Sequence, residues 1–71
     1  MLNRGFIVWN RKKLKHLLKH WIEHSKEHTE KYDEWAQKLK EEKPEISRLL
    51  SRAVKKFKEG ERLLEKAYRR L

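Results

Sequence analysis

The sequence predicts an all-α fold, an antiparallel two-helix hairpin behind a short N-terminal arm, and three observations carry that expectation. Inward positions from Leu14 follow a 4-3 alternation that suits a helix: Leu14, Leu18, Trp21, Ser25, His28, Tyr32, Trp35 and Leu39. The pattern breaks at Pro44 and restarts as Ile46, Leu50, Ala53, Phe57, Gly60, Leu64, Ala67 and Leu71. Leu14–Leu39 and Ile46–Leu71 are 26 residues each, about 39 Å at 1.5 Å per residue, and the segment between them is only long enough to turn back.

Taken in order, residues 1–10 are the arm. Its cluster Phe6-Ile7-Val8-Trp9 follows Gly5 without a helical period, and its aromatics, Trp9 above all, are expected to pack across a dimer. Asn10 suits an N-cap. The hairpin then occupies 11–71, with helix 1 from about 11 to about 42 and helix 2 from about 44 to 71, because Pro44 disfavours helical backbone at Lys43 and fits the first turn of a new helix. Antiparallel pairing sets Trp21 by Leu64, Ser25 by Gly60 and His28 by Phe57, with Trp21 and Trp35 as core anchors. Helix 2 offers a small residue every seventh position, Ala53, Gly60 and Ala67. Gly60, which costs a helix interior about 1 kcal/mol relative to Ala, is explained if the backbones approach closely where Ser25 and His28 sit.

A chain of 71 residues without cysteine buries little apolar area and has no disulfide or thiolate site to staple it. A metal or a second chain remains. The apolar stripes are wider than one helix pair can cover, leaving Leu17, Ile22, Leu49, Val54, Leu63 and Tyr68. These are expected to be buried in a homodimer that forms a four-helix bundle. Charged residues make up 44 % of the chain, while Asn3, Asn10 and Gln37 are its only amides, a thermophile-type composition. No segment is apolar for long enough to span a bilayer, and Phe6–Trp9 is too short for a signal-peptide core, so the expected location is cytoplasmic. With no phosphate loop and no nucleophile elbow, enzymatic activity is not expected.

The one site-like pattern is a histidine at every fourth position: His16, His20, His24 and His28. A four-residue spacing stacks side chains on one drifting stripe. His28 is expected at the core, His24 at its boundary, His20 mostly exposed and His16 on the far face. Glu23 and Glu27 flank His20. Imidazole with carboxylate suits a divalent transition metal such as zinc, nickel or cobalt, so His20, His24 and His28 are the candidate ligands, with Glu23 and Glu27 auxiliary. The Glu-x-x-His pairing of di-iron bundles is absent. The segment His20-Trp21-Ile22-Glu23-His24, then His28 and Trp35-Ala36, resembles part of a family of short prokaryotic helical proteins of uncharacterised function. The resemblance covers about residues 14–40 and implies nickel or cobalt handling.

A second reading competes with the metal. Residues 1–20 carry six bases and no acid, residues 60–71 four bases and two acids, and residues 21–59 ten bases and nine acids. In a hairpin the first two groups share the open end. Arg11, Lys12, Lys13 and Lys15 sit where cations oppose the helix dipole, which suits phosphate or a non-specific nucleic-acid contact. On this reading the protein is a basic interaction module and its histidines are incidental.

Overall fold

The computed structural model describes residues 10–71; the arm with its Phe6–Trp9 cluster lies outside the described residues. Two helices, α1 (Arg11–Lys38) and α2 (Pro44–Arg69), pack against each other as an antiparallel hairpin, with no strand among the described residues. Asn10 caps α1 as its type predicts: its backbone is extended and its side chain accepts from the Lys13 N–H at 2.7 Å.

Helix α1 ends at Lys38 rather than near 42, and the cause is a side chain from the other helix. In a continuing helix the Ala36 carbonyl would receive the Lys40 N–H. Instead the buried Ser47 hydroxyl donates to it at 2.6 Å, and the Lys40 N–H turns to the Gln37 carbonyl at 3.3 Å. Leu39 closes the helix, and Lys43, held out of helical geometry by the following proline, leads into α2 with Pro44 in its first turn.

Lengthwise, the two helices meet much as expected. Arg11 donates to the Leu71 carbonyl, the Lys15 ammonium lies over the Tyr68 ring, Tyr32 meets Phe57, and Ala36 meets Ser47. The rotation of each helix about its own axis differs. On α1 the seam takes Leu18, Ile22, Thr29 and Ala36, with Ser25, Tyr32 and Leu39 half-buried. On α2 it takes Ser47, Val54 and Glu61, with Leu50, Leu64 and Tyr68 half-buried. The seam has therefore moved one position along α1, from Trp21, His28 and Trp35 to Ile22, Thr29 and Ala36.

Size and polarity explain the shift. Two helices pack about 8–10 Å apart, a gap that Ala36, Val54 and Ser47 fit and an indole does not. Trp21 and Trp35 accordingly remain 46 % and 53 % exposed and are not core anchors. Gly60 does not mark a close approach within the hairpin, because a Cβ added there meets nothing within 4 Å.

Candidate interaction surface

Because the seam keeps Leu18, Ser25, Tyr32 and Leu39 but takes Ile22, Thr29 and Ala36 in place of their neighbours, the other half of the 4-3 stripe is left outside on one face of the hairpin. Trp21, His28 and Trp35 recur every seventh residue along α1, with Leu17 beside them. Phe57 and Ile46 lie on the same side of α2, since the Tyr32 and Phe57 rings meet across the groove at 5.4 Å. Ile46 and Phe57 are 47 % and 46 % exposed. The small residues Ala53, Gly60 and Ala67 occupy the same face of α2. The opposite face is polar, with Lys26, Glu30 and Asp33 of α1 across from Lys58, Arg62 and Glu65 of α2.

Of the six residues expected between subunits, the structure brings few together. Leu17 lies on the aromatic face and Leu49 at its edge. Ile22 and Val54 are buried in the hairpin's own seam, Tyr68 is half-buried under Lys15, and Leu63 points from the back of α2. Ile22 and Val54 thus have almost no surface left to offer a partner.

The histidines border this aromatic face. His20 and His24 rings stack at 5.3 Å, His24 and His28 meet edge-on at 5.2 Å, and His28 stacks on Tyr32 at 6.2 Å, so the ladder continues through Tyr32 to Phe57. All four histidines are exposed, His28 included, which corrects its placement in the core. The His24 Nδ1 lies 3.6 Å from Glu27 Oε1, so Glu27 sides with His24, while Glu23 stays exposed on the polar side. Among the described residues no three histidine, aspartate or glutamate side chains converge to hold a metal ion. Stacked rings turn their faces to each other, whereas ligation needs nitrogens aimed at a common point.

Inside the seam lies a polar cluster that apolar periodicity did not reveal. Glu61, 5 % exposed, accepts from the Ser25 hydroxyl at 2.6 Å and from the Thr29 hydroxyl at 2.7 Å. Thr29 also approaches the Ser25 carbonyl at 2.9 Å, so its single hydroxyl proton has two acceptors within reach. The available signal was the seven-residue recurrence of Ser47, Val54, Glu61 and Tyr68, a stripe hidden by weighting apolar residues alone. Beside it, Lys26 reaches across the hairpin to Glu65 at 2.7 Å. That hydrogen bond and charge hold the Glu65 carboxyl below its ordinary value of 4.5 and the Lys26 ammonium above 10.5.

At the open end, Arg11, Lys12, Lys13 and Lys15 lie beside the last turns of α2, which carry Lys66, Arg69 and Arg70. No described helix is long and apolar enough to cross a membrane.

These features define a small helical-hairpin protein with one aromatic face and one basic end. Residues 14–71 match the family described as Domain of unknown function (DUF8180), and the chain belongs to that family. That family is one of uncharacterised function, and the match, which reaches through α2 to Leu71, does not confirm the HWxEHxxxH-type motif or the nickel or cobalt handling implied by the resemblance over residues 14–40. No curated protein and no solved structure matches the chain.

Proposed function

We propose that this protein is a non-enzymatic assembly module whose aromatic face packs against a second copy of itself, giving a four-helix bundle. The observation that carries the reading is that one face holds both halves of a complementary pattern. Large residues recur every seventh position on α1 (Trp21, His28, Trp35) and small ones every seventh position on α2 (Ala53, Gly60, Ala67), and both stripes lie outside the buried seam, with Ala53 and Gly60 half-buried and the others exposed. A two-fold axis along the hairpin sets α1 of one copy over α2 of the other, so that large side chains seat between small ones in an isologous contact. Gly60, unexplained inside one hairpin, then marks the approach of the second copy's α1. The need for a partner follows from the core, where among the described residues only Leu18, Ile22, Ala36 and Val54 are buried apolar residues.

Sedimentation equilibrium at micromolar concentration tests this. The wild-type chain should have a dimer's mass. Trp21→Glu and Phe57→Glu should be helical monomers, while Leu63→Glu, on the back of α2, should still dimerise. Gly60→Ala separates helix from interface: it should stabilise α2 by about 1 kcal/mol yet weaken self-association severalfold, since overpacking a tight contact costs about 1–3 kcal/mol. A wild-type monomer that unfolds cooperatively would sink the proposal.

A further inference from the structure

We infer that the open end of the hairpin, on the polar face, is a docking surface for a nucleic-acid backbone. The fold concentrates the molecule's entire described net charge there. Residues 11–22 carry five bases and no acid, residues 62–71 carry four bases and one acid, and the intervening residues 23–61 carry ten of each. The hairpin brings the first two segments side by side, as the contacts from Arg11 to Leu71 and from Lys15 to Tyr68 record. The hairpin is thus neutral over its turn half and strongly positive at its open end.

Three features make this more than a solvated surface. First, the bases sit where they are costly: the first turn of α1 holds Arg11, Lys12 and Lys13 and no acid, against the helix dipole. Second, they are unmatched. Among the described residues Lys12, Lys19, Lys66 and Arg69 have no carboxylate within ion-pair distance; of the two acids bordering the cleft, Glu65 is held by Lys26 and Glu23 makes no ion pair. Third, they form an array. Lys12, Lys15 and Lys19 fall on one side of α1, and Lys19 shares a cleft with Arg69 of α2, with Glu23 at its inner border. The helix rise sets Lys12, Lys15 and Lys19 about 4.5 and 6 Å apart along α1, a row of positive charge suited to a polyanion.

The distribution also separates nucleic acid from an anionic membrane. An interfacial helix places its bases around the apolar residues it inserts. Here Trp21, Trp35 and Phe57 lie on the opposite face and extend into the neutral half, and the one large apolar residue exposed beside Arg62, Lys66 and Arg69 among the described residues is Leu63. A phosphodiester backbone needs only the charge array, with no base-edge reading. The inference is independent of self-association, because it uses the other face.

The test is fluorescence anisotropy with labelled DNA and RNA oligonucleotides of unrelated sequence, beside co-sedimentation with vesicles containing phosphatidylserine. Two variants of equal charge are compared: Lys12→Gln, Lys19→Gln, Lys66→Gln and Arg69→Gln together, and Lys40→Gln, Arg48→Gln, Arg52→Gln and Lys55→Gln together, all at exposed positions. The wild type should bind oligonucleotides at low salt, with a slope of log affinity on log salt of about −3 to −5, as expected for four to six phosphate contacts. The open-end variant should lose at least tenfold in affinity and flatten that slope by about 3, whereas the turn-half variant should lose less than threefold. Circular dichroism should report equal helicity for both. The inference is overturned if no oligonucleotide binds at low salt, if both variants weaken alike, or if vesicles are bound and oligonucleotides are not.

Discussion

Glu61 decides more about this hairpin than any apolar residue. A carboxylate with 5 % of its surface exposed is tolerated because the hydroxyls of Ser25 and Thr29 donate to it. That ties the rotation of α1 to Glu61: turning the helix back to bring Trp21 and His28 inward would keep Ser25 facing α2 but carry Thr29 away, leaving the buried carboxyl one donor short. Glu61→Ala should therefore destabilise the fold by about 2–4 kcal/mol, from a cavity plus the Ser25 hydroxyl left unpaired, while Thr29 keeps the Ser25 carbonyl. Glu61→Gln, whose amide oxygen still accepts, should cost about 1 kcal/mol. Urea unfolding of both variants measures this, and equal losses would mean that volume, not the hydrogen bonds, holds the seam.

At the scale of the element, α1 carries two stripes separated by one residue. The inner one, Ile22, Thr29 and Ala36, closes the hairpin; the outer one, Trp21, His28 and Trp35, faces away with the histidine ladder at its edge. Three neighbouring imidazoles on one helix, one pair stacked and the other edge-on, are joined by no converging set of donors among the described residues. Equimolar zinc, nickel or cobalt at pH 7.5 should therefore raise the unfolding temperature by less than about 2 °C, since stabilisation by a ligand follows its affinity for the folded state. A larger rise that disappears in His24→Ala and persists in His16→Ala would restore the metal reading for His20, His24 and His28.

For the whole molecule, the two faces and the polar charge distribution interact. With α1 of one copy over α2 of the other on an axis along the hairpin, the two basic ends of the proposed dimer lie at the same end. Their repulsion opposes assembly and is screened by salt over a Debye length of about 10 Å at 0.1 M. Self-association measured by sedimentation should tighten as salt is raised, opposite in sign to the weakening expected for oligonucleotide binding. If assembly weakens with salt, the two-fold axis runs across the hairpin and separates the basic ends.

Much of this architecture was legible along the chain. Two helices of near-equal length, their reversal at Pro44, the Asn10 cap and the lengthwise pairing all follow from periodicity and backbone chemistry, which are local properties. The end of α1 was not local: it lies at Lys38 because Ser47, from the other helix, takes the Ala36 carbonyl. Which stripe would face inward was not local either. Periodicity marks Trp21, His28 and Trp35 as strongly as a core, because a stripe that packs on a second chain obeys the same 4-3 rule as one that packs on the chain itself. Only the tertiary structure separates them, through the width an indole demands and through the Thr29 hydroxyl that reaches Glu61 in the observed rotation alone. The sequence thus determined the helices and the charge at their open end; the fold decided which side of each helix is the inside.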